Sequence, residues 1–288
     1  NQAVTHIWSL RAARSLQPAE RGEPAWIIDA PLLDGRAAAC DAPIEGPCIF
    51  AAASERAAAA IRRIAVDERC VLTREGFASF SPQATRRREL REWFGYGRDQ
   101  RVCLLLPPFS DAQESLRAPW GLMIAQRVHD GLRLLLPFGG AAASLIAELV
   151  AASGRRHILQ RVGTRFDFDD LITVADFAAF VPARPTDSAA LARVCAAGLP
   201  VLASASTMLP EWGVSRDALI AEPERVDRIA ARAVALLDDW DAALADAAAL
   251  RDRLADRRSQ EAMLDAYAAL YEQARARRGE PDEPGESF

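Results

Sequence analysis

The segment D-F-A-A-F-V-P-A-R (Asp176–Arg184), followed closely by A-A-G-L-P-V-L-A-S (Ala196–Ser204), places two apolar runs on either side of an amphipathic stretch. Neither run alternates strictly between apolar and polar residues, as expected of strands buried on both faces of a sheet. The same rhythm extends outward. Arg101–Pro107, Leu132–Phe138, His157–Val162, Phe177–Pro182, Pro200–Ser204 and Ala218–Glu222 read as parallel strands separated by covering helices. This is the pattern of a doubly wound α/β domain.

Composition narrows the function classes. The chain has 288 residues, which suits about two domains, and its 35 basic and 40 acidic residues give a net charge of −5. A mildly acidic chain argues against nucleic acid as a partner, because phosphate backbones demand a clustered cationic face. Every basic residue is arginine, with no lysine anywhere. That excludes a Schiff-base lysine and a Walker-type phosphate loop. The longest uncharged stretch, Val194–Pro210, is interrupted by Gly198 and Pro200, so no membrane span is expected. Cys40, Cys48, Cys70, Cys103 and Cys195 are odd in number and irregularly spaced, which favours free thiols in a reducing, cytoplasmic compartment. His6, His129 and His157 are far apart and no metal-ligand spacing occurs, so no metal and no cofactor are expected. The chain opens on Asn1, without a Met or a signal pattern, and so reads as a fragment or a trimmed chain.

Upstream of Arg101, strands are expected at Thr5–Leu10, Ala25–Asp29, Cys48–Ala53 and Arg69–Leu72, with helices at Arg11–Gln17 and at Glu55–Ile64, the latter N-capped by Ser54. At roughly 30 residues per βαβ step, a full six-stranded lobe needs more than the residues available here. The first lobe, residues 1–80, therefore reads as partial. An arginine-rich helix around Arg86–Trp93 marks residues 81–100 as a linker, and 101–258 form the second lobe. Arg225–Arg258 reads as one covering helix, since its heptad fails at Arg251. A closing helix, Gln260–Arg277, lies within 259–278, and the Pro- and acid-rich tail 279–288 is expected to be disordered.

The opening segment, together with Pro210 and Glu211, resembles the C-terminal lobe of retaining glycosyltransferases of family 4, where a strand ending in P-S precedes E-G-F-G, E-A-M-A-A-G-x-P-V and a later P-E. Val71–Pro82 is similar to that family's inter-lobe strand and turn, Val162–Leu171 to its V-x-F-x-G…D-D-L passage, and Ser259–Gln273 to its F-S-W-E closing helix. The resemblance implies a GT-B fold: a complete C-terminal Rossmann-like lobe, an incomplete N-terminal one, and a nucleotide-sugar donor seated mainly against the second lobe without metal.

A metal-free donor site needs preorganised cations and backbone amides to stabilise the leaving diphosphate. The family's G-R-x-x-x-x-K falls here on a segment with Pro108 in the Arg slot and Gln113 in the Lys slot. Of its E-x(7)-E pair, the second position holds Arg193 and the first Pro185 or Thr186. Its glycine-rich helix start is replaced by Thr186, Asp187 and Ser188, and an Asp there would accept the very amides that a phosphate needs. The lobe-one histidine position falls near Ile28, and His6 resembles a histidine at another strand end. Arg165, Arg184 and Arg193 are candidate replacement cations, with ordinary surface arginines as the alternative. Arg193 is expected on the inward side of its helix, satisfied by Asp187 or Glu211. Gly139–Gly140 reads as a strand-to-helix turn rather than a phosphate loop.

Three functions follow from these residues. The first is a glycosyltransferase-lineage protein whose donor chemistry is weak or lost. The second is an active enzyme with a rearranged arginine-based donor site, and the third an interaction subunit whose first lobe is completed by a protein partner. The ligand class in the first two is a nucleotide-diphosphate sugar.

Overall fold

The structure is a computed structural model, and it describes residues 4–7, 25–30, 48–52, 54–62, 70–73, 76, 80–106, 112–137, 141–186, 188–257 and 259–277. The expected helix Arg11–Gln17, the Gly139–Gly140 turn, Asp187 and the tail 279–288 lie outside these residues. The chain divides into two compact units, 1–76 with 258–288, and 77–257.

In the first unit, β1 (Val4–Ile7), β2 (Ala25–Ala30), β3 (Cys48–Ala52) and β4 (Cys70–Leu72) form a parallel sheet in sequential order. Helix α1 (Glu55–Ile61) follows β3, and its start is capped as expected: the Ala57 N–H donates to Ser54 Oγ at 3.1 Å. The helix Gln260–Arg277 belongs to this unit and packs on β1, β2 and β3, with Leu270 and Ala274 against Ile49 and Ala51. Gly76 meets the start of that helix, donating its N–H to Met263 Sδ at 3.2 Å; a Cβ there would lie 2.5 Å from the Ser259 carbonyl oxygen.

The second unit begins with α2 (Ala84–Phe94) and carries β5 (Arg101–Leu105), α3 (Ala112–Ala125), β6 (Leu132–Pro137), α4 (Ala141–Ala152), β7 (Leu159–Val162), α5 (Phe168–Val174), β8 (Phe177–Phe180), α6 (Ala189–Ala196) and β9 (Val201–Ala203). The strands are parallel in the order β7-β6-β5-β8-β9. Both faces are apolar, and successive residues feed different cores. Cys103, Leu105, Phe177 and Ala179 pack with α3 and α4, whereas Val102, Leu104, Ala178 and Phe180 pack with α5 and α6. This explains the near-continuous hydrophobic runs in the sequence.

Two expectations are corrected here. Ala218–Glu222 is not a sixth strand: a 3-10 turn takes Arg216–Ala218, capped by Ser215, and only Ile220 bridges Ser204. Arg225–Arg258 is not one helix but two, α7 (Val226–Asp238) and α8 (Trp240–Arg257), separated by Asp239 at φ −108°, ψ 59°. The break has a packing cause. Ile229, Ala233, Leu236 and Leu237 join the core on the α3 side, whereas Leu250 and Leu254 join the core on the α6 side. Trp240 sits at the corner, edge-on to Phe177 and beneath the Arg101 guanidinium at 4.5 Å. Helix α9 (Gln260–Arg277) completes the chain order. Among the described residues no helix is long and apolar enough to cross a membrane.

At the start of β8, Asp176 is 8 % exposed and receives Arg87 at 2.6 Å, Arg91 at 2.9 Å and the Val102 N–H at 2.7 Å. Arg87 also donates to the Thr173 and Ala175 carbonyls, and Arg91 to those of Gly97 and Gln100. Burial lowers the Arg87 pKa from its ordinary value, although a guanidinium stays charged. Removing the carboxylate leaves two part-buried cations and a backbone N–H uncompensated. Asp176→Ala is therefore expected to cost about 3–5 kcal/mol in urea-induced unfolding. Burial also raises the thiol pKa of Cys103 and Cys195, both fully enclosed, so neither is expected to react with a thiol-specific reagent at about pH 8 until the protein unfolds.

Candidate functional site

The strand order reverses between β5 and β8: the chain leaves β5 through α3 toward β6 on one side and returns through α5 to β8 on the other. In doubly wound sheets this switch point leaves a crevice at the carboxyl ends of the strands, where ligands bind. The described segments nearest this switch point are the first turn of α3 and residues 181–186.

That loop is held from beneath by hydrogen bonds to the segment after β9. Ser204 Oγ donates to the Pro182 carbonyl at 2.7 Å, and the Thr186 N–H donates to the Ser206 carbonyl at 3.3 Å. Thr207 Oγ1 donates to the Ser204 carbonyl at 2.9 Å, bracing the supporting turn. From the other side, Glu114 in the first turn of α3 accepts the Ala183 N–H on its Oε1. The Glu114 carboxylate thus ties the start of α3 to the segment after β8.

The residues singled out in the sequence scatter over this edge. Gln113 is exposed in the first turn of α3, next to Glu114. Thr186 lies on the crevice loop, its hydroxyl donating to the Arg184 carbonyl at 2.9 Å. Ser188 is the N-cap of α6, its Oγ accepting the Leu191 N–H at 3.2 Å. The helix start is therefore capped by a side chain of this chain, supplied by Ser188. Asp187, expected in that role, lies outside the described residues. Arg184 is exposed on the loop and makes no ion pair among the described residues. Glu211 lies half-buried in the 3-10 turn Leu209–Trp212, after β9.

The other two arginines are engaged elsewhere. Arg193 faces outward, not inward, with its side chain 49 % exposed. Its guanidinium forks onto Asp169 of α5 at 2.7 and 2.6 Å, not onto Glu211, and this hydrogen bond raises its pKa. The helical positions buried beside it, Leu191, Ala192, Val194 and Cys195, already fill the inward side. Arg165 follows β7, the edge strand two places from the switch point, and stacks over Trp93 at 5.5 Å and Phe166 at 5.9 Å. The structure therefore brings Gln113, Arg184, Thr186 and Ser188 to the loops beside the crevice and leaves Arg165 and Arg193 on other partners.

Glu114 was missed in the sequence. An acid in the first turn of a helix ordinarily signals a favourable dipole interaction and nothing more, and its reach to Ala183 crosses 69 positions in the chain. No group of three or more His, Cys, Asp or Glu residues placed to hold a metal occurs among the described residues.

No protein-family pattern matches the chain, and no curated protein does. Solved structures do. The chain is similar to sucrose-phosphate synthase from Thermosynechococcus elongatus, with a TM-score of 0.78 and 18 % identity over 94 % of this chain and 73 % of that one. It is similar to a glycosyltransferase from Rickettsia africae ESF-5, with a TM-score of 0.73 and 13 % identity over 86 % and 70 %. HepE of Anabaena, solved in complex with UDP-glucose, superposes with a TM-score of 0.65 and 16 % identity over 79 % of this chain and 64 % of its own. The fold is that of the GT-B glycosyltransferases.

The two polar contacts at α6 differ in weight. Ser188→Ala is expected to cost about 1 kcal/mol through the lost cap, whereas Arg193→Ala removes an exposed pair and is expected to cost less than about 1 kcal/mol. Denaturant midpoints of the two variants check the order.

Proposed function

We propose that this chain is a glycosyltransferase-lineage protein, of the retaining family 4 type, in which donor activation is weak or lost. The reading is supported above all by the Arg193 fork onto Asp169, which commits to an internal partner the cation standing at the second position of the E-x(7)-E pair. Gln113, in the slot where the resemblance calls for a Lys, is neutral, and Glu114 beside it is acidic. A diphosphate leaving group develops negative charge that such a crevice does not offset. The ligand class follows from HepE, which was solved with UDP-glucose.

A second reading, an active transferase with an arginine-based donor site, is favoured by the exposure of Arg184 on the crevice loop. Calorimetric titration with UDP-glucose, a GDP-sugar and an ADP-sugar at millimolar concentration separates the two. The expected result is no saturable binding and no donor hydrolysis. Saturable micromolar binding with turnover that Arg184→Ala abolishes would establish the second reading in place of the first.

A further inference from the structure

We propose that the outer ridge of α3 and the amino edge of the second sheet form a docking surface for an anionic lipid bilayer, on which the chain lies without spanning it. The inference goes beyond the donor-site reading and does not depend on it. Trp120, Ile124 and Val128 recur at four-residue steps along α3 and the turn after it, and they are 52, 41 and 66 % exposed. Large apolar residues exposed singly are ordinary, whereas three in one row form a patch. The other side of α3 is committed to the core. Leu122 and Ala125 are fully buried, and Gly121 makes room for Ile229 of α7, since a Cβ there would lie 2.5 Å from that side chain. Arg117 stands three residues before Trp120 and Arg127 three after Ile124, and no acidic residue lies between the two arginines.

The row runs toward the amino ends of β5, β6 and β7, which are neighbours in the sheet, so the turns ahead of them lie side by side. Those turns carry Arg98, Arg127, Arg133, Arg155 and Arg156 against Asp99 and Asp130. Arg133 and Arg155 donate to main-chain carbonyls, and none of the five makes an ion pair among the described residues. A positive edge therefore stands on a chain whose net charge is −5. Toward α7 it ends at Asp238, which meets His129 at 3.1 Å, and on the α4 side Glu148 is the exposed acid. The combination selects the occupant. A bilayer interface takes Trp and aliphatic side chains at the headgroup level while arginines meet lipid phosphates. A second copy seated ridge on ridge would instead set Arg117 and Arg127 against the same pair of cations.

The full chain is sedimented with vesicles of phosphatidylcholine alone and of an equimolar mixture with phosphatidylglycerol, at low and high salt. Trp120→Ala with Ile124→Ala tests the apolar row, and Arg127→Ser with Arg156→Ser tests the edge. All four positions are exposed, thermal unfolding is recorded for each variant, and either variant decides if the other fails to fold. Wild type is expected to sediment with the anionic vesicles only. The apolar variant is expected to bind them at least about tenfold more weakly. The arginine variant is expected to lose about fivefold per arginine, a difference that shrinks at high salt. Wild type that ignores anionic vesicles overturns the proposal, as do folded variants that bind as wild type does. Equal binding to phosphatidylcholine alone overturns the charge argument. A lipid-free dimer that light scattering detects and Trp120→Ala dissolves overturns the proposal in favour of a second copy as the occupant.

Discussion

The second unit depends on one buried carboxylate. Asp176 sits where the chain enters β8 and accepts the Val102 N–H from the beginning of β5, so it ties together the two strands on which the sheet reverses. Its oxygens also take Arg87 and Arg91, which pins α2 beneath the sheet. A lone carboxylate so enclosed would cost several kcal/mol, and it is tolerated because cations and an amide surround it. The arginines carry further weight by donating to the carbonyls that end α5 and precede β5. The register of β5 against β8 is therefore set at their amino ends by electrostatics, and along their length by packing on both faces.

The opposite ends of the same two strands flank the point where the strand order reverses. There a carboxylate reaches an amide: Glu114 accepts the Ala183 N–H. Arg193 is held by Asp169 across the α5–α6 pair, and Arg165 is held by aromatic faces beyond β7. Both arginines are satisfied by local partners. Guanidinium groups in a chain without lysine serve as general structural cations, and that use competes with ligand binding.

Much of the architecture was legible because its causes are local. Strand runs buried on both faces are continuous in the sequence, so all five strands of the second sheet were visible, as were the Ser54 cap and the Gln260–Arg277 helix. Structure departs from the local pattern where long-range packing chose the outcome. The run Asp238, Asp239, Trp240, Asp241 forms helix weakly and suits a helix start, and the break there lets the next helix cover the other face. The outward orientation of Arg193 has a related cause. The inward side of α6 is decided by which apolar residues meet the sheet, and Leu191, Ala192, Val194 and Cys195 take all of it.

Sequence alone determined the fold class and the succession of short apolar strands, because periodicity and residue identity are properties of neighbouring positions. Tertiary structure decided which charges meet. Glu114 with Ala183, Arg193 with Asp169, and Asp176 with Arg87 and Arg91 join positions 24 to 89 residues apart, and an interaction that depends on distance in space has no signature in a one-dimensional pattern.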